Sequence, residues 1–396
     1  MKKITFVIPS RNNLEFLQLA YKSIRKLNTV HEILVLNDGS SDGTFEWIEE
    51  TNKLDTNLIA HHNLDTSKRV GIVGMFDKGI EMSRTDIIIA FHADMIAGPN
   101  LDENILKHLE KGKVVSATRV EPPLHPPGPE KITMNFHIGK ECEAHNFDWD
   151  GFYNWAENVG LKDTKTTEGI FAPWCMYKED FLAIGGHDVL FAPQSKEDSD
   201  LFNRMQLAGY KFIQPWDALV YHFTSRGSRF NKHAGGAAGQ NSQEWIHTTT
   251  KNGREFIRKW GHFIKHDQFM KPIIPPKYDV GFIVNNVHKQ LIEVLEPWCS
   301  TMYTDDSYIP IGDYIEQQET AYDLNSKFMP YGNEKQNGVL VEIDGNSFNQ
   351  QDFQYIHQLS EIIADSGEIG EFALGNLKIT ITNLETLDQN IIVCKS

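Results

Sequence analysis

The sequence predicts an α/β protein: a mainly parallel sheet with helices on both faces, followed by a smaller acidic α/β domain. Three observations carry this. Short apolar runs alternate with segments of helical period through the first third of the chain. Hydrophobic residues make up 40% and charged residues 23% of 396 residues, enough to bury two cores. The charge is also unevenly spread. The whole chain carries −16, yet from Lys277 onward there are 6 basic and 19 acidic residues.

The elements follow in order. ITFVI reads as a first buried strand, too short to be the core of a secretory leader. Leu14, Leu17, Tyr21, Ile24 and Leu27 then recur at helical spacing. EILVL is a second strand ending in NDGSSDGT, and FEWIEE continues a helix. LIAHH is a third strand, and VGIVGMFDKGIEM a helix despite its glycines. DIIIAF is a fourth strand ending in HAD. LDENILKHLEKG reads as a helix stopped by glycine, and VVSATRV as a fifth strand. EPPLHPPGPEK, with five of the 16 prolines, excludes regular helix or sheet. Beyond it, APWCMYKEDFLAIGGHD gives a strand, a short helix and a Gly-Gly turn. SKEDSDLFNRMQLAG gives an amphipathic helix, and YKFIQPWDALVYHF further strand. Pro272, Pro275 and Pro276 suggest a linker over 266–278, separating a first domain (1–265) from a second (279–396) whose role the sequence leaves open.

No apolar stretch reaches the roughly 18 residues of a membrane-spanning helix. Cys142, Cys175, Cys299 and Cys394 lack zinc or redox spacing and read as reduced thiols of a soluble cytoplasmic protein. The net charge argues against a protein that simply coats nucleic acid. Residues 221–276, however, hold 9 basic against 3 acidic residues, including Arg226, Arg229, Lys232, Arg254, Arg258 and Lys259.

Ligands of parallel α/β sheets bind outside the carboxyl ends of the strands. Asp38 ends the second strand, before a glycine-rich turn whose amides can face an anion. His92 and Asp94 stand at i and i+2 of an extended segment and share a face. An imidazole beside a carboxylate suits a borderline cation such as Mn²⁺ better than Mg²⁺. Glu197, Asp198 and Asp200 open a helix, either as a cap or as a carboxylate base at the rim of a site. His222 follows an apolar strand.

Taken in order, these segments resemble the family 2 glycosyltransferases of the GT-A fold. VIPSRNN, VLNDGSSDGT, GIVGMFDKGI, HAD, IGGHD and EDSDLFNRMQLAGY match that family's motifs over about residues 3–225, with Gly261 as the outer limit. Asn37 and His92 replace acidic residues of the pattern. The resemblance implies a GT-A nucleotide-sugar-binding fold and transfer of a sugar from a UDP-sugar, with inversion, to an acceptor hydroxyl. It implies Pro9, Ser10, Arg11, Asp38, Gly71, His92 and Ala93 around the nucleotide, and Asp94 and His222 on Mn²⁺ or Mg²⁺. Asp198 is then the catalytic base, with Glu197 its nearest competitor. Arg226 and Arg229 lie in a lid over the diphosphate, and Trp174 on the acceptor side. A glycan or lipid-linked acceptor is the first expectation. Hydroxymethylated DNA is the alternative, suggested by the basic stretch, and a binding module without turnover is a third reading.

Overall fold

The computed structural model describes residues 2–138, 143–232, 236, 239–305 and 311–394. Cys142 lies outside them. Two units separate by their contacts: Met1–Thr248 with His266–Pro272 and Val393–Ser396, and Thr249–Lys265 with Ile273–Ile392.

In the first unit the strands are β1 (Thr5–Ser10), β2 (Glu32–Asn37), β3 (Leu58–His62), β4 (Ile87–Ala90), β5 (Met95–Ala97) and β6 (Lys113–Ser116). They continue with β7 (Thr118–Glu121), β8 (Ile132–Thr133), β9 (Thr166–Thr167), β10 (Trp174–Tyr177), β11 (Lys211–Pro215) and β12 (Leu219–His222). The helices are α1 (Leu14–Ile24), α2 (Thr44–Leu54), α3 (Gly71–Met82), α4 (Leu101–Leu106), α5 (Trp149–Asn158), α6 (Lys178–Ala183) and α7 (Glu197–Leu207). An eight-stranded sheet runs β3-β2-β1-β4-β10-β6-β11-β9, and a four-stranded sheet runs β5-β12-β7-β8. The first four strands of the large sheet are parallel, and β10 is antiparallel to both its neighbours.

The expected fifth strand is two strands in two sheets. Ala117 is the crossing point: its N–H goes to Pro173 O (3.0 Å), and that of Thr118 to Ala218 O (2.7 Å). The glycines of α3 are a packing device. A Cβ on Gly79 would stand 2.4 Å from Val7 Cγ1 and 2.7 Å from Leu36 Cδ2, so glycine lets the helix lie close on β1 and β2.

The Gly-Gly turn is held from two sides. Arg204, fully buried on α7, bonds Asp200 Oδ2 (2.8 Å), Ile184 O (2.9 Å) and Gly186 O (2.6 Å). His187 Nδ1 pairs with Asp77 Oδ1 of α3 at 2.6 Å. The conspicuous EDxDLxxR pattern thus divides its labour, Asp200 and Arg204 fixing the start of α7. Asp188, Asp200 and Cys394 also converge, but Arg204 already supplies a cation there.

α8 (Gln243–Trp260) carries the division between the units. The second unit adds β13 (Val280–Asn285), α9 (Lys289–Leu295), β14 (Thr301–Thr304), α10 (Ile311–Glu316), α11 (Leu324–Lys327) and β15 (Phe328–Pro330). It ends with β16 (Val339–Asp344), α12 (Gln350–His357), α13 (Leu359–Ser366), β17 (Gly370–Leu374) and β18 (Leu377–Ile381). Its sheet runs β15-β14-β13-β16-β18-β17. This is the order of β3-β2-β1-β4-β10 over five strands, the fifth again antiparallel. Residues 249–265 pack here, through Ile257 in the core and Arg258 on Glu296. The burial of Arg258 and Lys259 takes both from the exposed basic stretch that the sequence suggested.

Removing one partner of a buried ion pair leaves a bare charge and costs about 3–5 kcal/mol. Chemical denaturation of Arg204→Met should show a loss of that size. A wild-type unfolding midpoint would contradict the anchoring role.

Candidate active site

The peptide after β4 carries His92, Ala93 and Asp94 and leads directly into β5. β12 pairs antiparallel with β5, His222 opposite Met95, and β7 runs parallel along the other side of β12. This register brings His222 beside Asp94 from one side and Glu121 from the other. Donor atoms of His92, Asp94 and His222 all lie within 4.8 Å of one another, with His222 Nε2 at 3.7 Å from Asp94 Oδ1.

Glu121 fixes the chemistry of His222. His222 Nδ1 stands 2.9 Å from Glu121 Oε1. Glu121 also accepts from Arg119 Nη1 (2.9 Å) and Lys131 Nζ (3.0 Å). Burial opposes its ionisation, but the hydrogen bond from His222 and the charges of His222 and Arg119 outweigh it and hold the carboxyl well below its usual range. An ionised carboxylate only accepts, so Nδ1 carries a proton, and Nε2 is the nitrogen that faces Asp94. Such a partner on the far nitrogen is the usual support of a metal-binding histidine. Burial lowers the pKa of His92 despite the nearby Asp94, which favours the neutral ring a ligand needs. Two imidazoles and a carboxylate, all buried or nearly so, fit a divalent cation of borderline character.

A second cluster lies at the ends of β1 and β2. Asp38 is buried, and its carboxylate accepts from Asn63 Nδ2 (2.9 Å), Val70 N (3.0 Å) and Gly71 N (2.8 Å). Both oxygens are thus engaged in closing the loop before α3. Arg11 donates to the Asp38 carbonyl at 3.2 Å. Gly71 has φ +86°, and a Cβ there would stand 2.2 Å from Pro193 O, so only glycine fits between the loop and Pro193. Pro9 and Ser10 end β1, the Ser10 hydroxyl being buried without a partner among the described residues.

Glu197 and Asp198 stand in the first turn of α7, after Ser195 and Lys196 at φ +79° and +77°. Burial, then the charge of Asp198, pushes the Glu197 carboxyl up to about 8. Both causes favour the protonated carboxyl over the ionised one. Asp198 is only half-buried, and its charge reaches His92.

Other expected residues fall elsewhere. Trp174 is a core side chain, 1% exposed and stacked on Phe181 at 5.8 Å, so it offers no face to an acceptor. Arg226 brings its backbone N–H, not its guanidinium, to Asp94 (3.3 Å). The guanidinium is buried over the rings of Phe16 and Phe230. Arg229 lies within charge range of His125 in the proline-rich segment. His125 Nε2 in turn meets Thr224 Oγ1 at 3.1 Å, so that segment reaches the residues just after His222.

Residues 5–162 match the model described as Glycosyl transferase family 2. These residues belong to that family. No curated protein matches the chain. Similar solved structures include GalNAc-T7 with UDP, GalNAc and Mn²⁺, at 13% identity and TM-score 0.47, covering 66% of this chain and 48% of that one. Another is the mannosyltransferase PcManGT from Pyrobaculum calidifontis with GDP-Man and Mn²⁺, at 17% identity and TM-score 0.39, covering 57% and 58%. The chain thus spans about half the length of the solved structures it matches.

Within the glycosyltransferase domain, two charged residues escaped the sequence reading. Arg69 is largely buried, bonds Gln194 Oε1, and lies within charge range of Arg11, Asp38 and Glu197. Burial and then Arg11 lower its pKa, so two guanidiniums share this cluster. Its signal was its place just before Gly71. Glu121 had none beyond ending a strand, because its partners come from other segments.

The raised carboxyl of Glu197 has a pH consequence. Between the unfolded value near 4.5 and about 8 the folded protein binds the extra proton. This contribution to stability is complete below the unfolded pKa and falls as pH rises toward 8. Denaturant unfolding from pH 5 to 8 should show a smaller decline in Glu197→Gln than in wild type. Parallel profiles would contradict the assignment.

Proposed function

We propose that the chain is a metal-dependent, inverting glycosyltransferase that moves a sugar from a UDP-sugar to an acceptor hydroxyl on a glycan or polysaccharide precursor. The observation that supports it most is the His92, Asp94 and His222 group with Glu121 behind His222. Next to it stand a half-exposed carboxylate, Asp198, and a family 2 domain over residues 5–162.

Asp94, His222 and His92 would hold Mn²⁺ or Mg²⁺, which when bound supplies positive charge against the donor diphosphate. The residues of the chain do the rest. Arg11 and Arg69 give the nucleotide side a positive field. Gly71 lets the loop closed by Asp38 approach the donor pocket. Asp198 accepts the proton of the attacking hydroxyl. Glu197, protonated beside it, adds no second negative charge and leaves the base role to Asp198. Direct attack opposite the leaving diphosphate inverts the anomeric carbon.

The reading of hydroxymethylated DNA as acceptor rested on the basic stretch. Burial of Arg226, Arg258 and Lys259 removes three of its side chains, so the glycan reading is preferred. The binding-module reading is tested together with the base. Asp198→Asn should keep UDP and Mn²⁺ affinity within about twofold and lower UDP release from UDP-sugars by about 10²–10⁴. Unchanged release contradicts the base assignment. No Mn²⁺-dependent release by wild type, across UDP-sugars and with candidate acceptors, favours the module.

Glu121→Gln keeps an acceptor for His222 Nδ1 but loses the charge. Isothermal titration should show Mn²⁺ affinity about 10–100-fold weaker, as other outer-shell partners do. Equal affinity would remove Glu121 from the account.

A further inference from the structure

The second unit repeats the strand order of the first, yet its topological switch point is closed. Between β13 and β16, Gly345 N bonds Asn285 O (2.9 Å), and Asn286 Nδ2 bonds Asp344 Oδ1 (2.8 Å). A Cβ on Gly345 would stand 2.3 Å from Asn286 O. The crevice in which such sheets usually bind ligands is filled by chain.

Open space lies at the other edge instead. A cavity of about 340 Å³ is lined by residues at the amino ends of β13 and β14 and by α8, α11, α12 and α13. That volume suits a small organic molecule. Val280, Trp298, Ile356 and Leu359 give it apolar walls. Arg258, Lys277 and Lys327 also line it, with Ser300, Ser326 and Ser360.

The cations of the lining are not equally paired: Arg258 and Lys327 meet carboxylates, whereas Lys277 meets none within salt-bridge distance among the described residues. One carboxylate of the lining, Asp323, is spent on the amides of Asn325 and Ser326. Glu296, fully buried, serves Arg254 (3.2 Å), Arg258 (2.6 Å) and Lys327 (2.7 Å) at once, and Glu255, equally buried, takes the other side of Arg258 (2.6 Å). Lys277 Nζ donates only to carbonyls among the described residues, those of Arg258 (2.7 Å) and Lys259 (2.5 Å). Burial first, then the neighbouring charges of Lys327 and Lys259, lowers its pKa to about 8 against the weaker pull of Asp279 and Asp388. Lys277 and Lys327 are two of the 6 basic residues that stand against 19 acidic ones from Lys277 onward. A buried cation that meets carbonyls but no carboxylate is costly, and a bound anion offsets that cost.

We propose that this cavity is a binding site for a small organic anion. A phosphate or carboxylate group sits against Lys277, Lys327 and Ser300, and an apolar body packs on Trp298, Ile356 and Leu359. The site is independent of the glycosyltransferase centre and does not rest on the activity proposed above.

The test is calorimetry on the full chain with three probes: phenyl phosphate, benzoate and neutral benzyl alcohol. At least one anion should bind with a dissociation constant of about 1 mM or tighter, and at least tenfold better than the alcohol. The stronger of the two anions identifies the head group. Ser360→Phe fills the cavity while leaving every charge in place, and should weaken that binding at least tenfold with UDP binding unchanged. Lys277→Met should weaken the anion and not the alcohol. Silence with both anions, equal binding of the alcohol, or wild-type binding in Ser360→Phe would each overturn the proposal.

Discussion

The pairing of β12 with β5 is the constraint on which the candidate site depends. It joins the segment after β4 to a strand more than a hundred residues later, and its register sets His222 opposite Met95. A slip of one residue would turn His222 away from Asp94 and present Tyr221 in its place, because successive side chains of a strand alternate faces. β7 enforces the same register from the other side. Its parallel pairing with β12 carries Glu121 to His222 Nδ1, and Arg119 and Lys131 hold Glu121 in turn. A small four-stranded sheet thus does for this site what the large sheet does for the core.

The two neighbouring carboxylates of α7 show environment, not residue type, setting a role. Glu197 is buried and its carboxyl is pushed up, whereas Asp198 is half-buried and its charge reaches His92. Groups that do no chemistry hold the elements around them: Arg204 joins α7 to the Gly-Gly turn, and His187 ties that turn to Asp77. Much of the motif EDSDLFNR is therefore scaffold.

The large sheet was legible because its strands are buried on both faces and read as apolar runs between helical segments. The strand ends were legible for the same reason, so Asp38 and Asp94 could be named as candidates from their place, and Asp198 from the resemblance. What escaped is non-local. VVSATRV looks like one strand because the switch between sheets at Ala117 depends on Pro173 and Ala218, which the local pattern does not contain. Trp174 looked like a sugar platform because an aromatic residue near a site reads the same whether packed or exposed; Phe181 decides it. The basic stretch looked like one surface because charge is visible in sequence and burial is not. Arg226 packs on Phe16 and Phe230, while Arg258 pairs with Glu296. Glu121 is the clearest loss, since its meaning lies wholly in His222.

The central claim is that His92, Asp94 and His222 hold one divalent metal, and it can be read directly. Pulsed electron paramagnetic resonance of Mn²⁺ bound to the full chain reports coupling to ligand nitrogens. Two imidazole nitrogens are expected in wild type, one in His222→Ala and one in His92→Ala. A spectrum with no nitrogen coupling, or one that neither substitution changes, would contradict it.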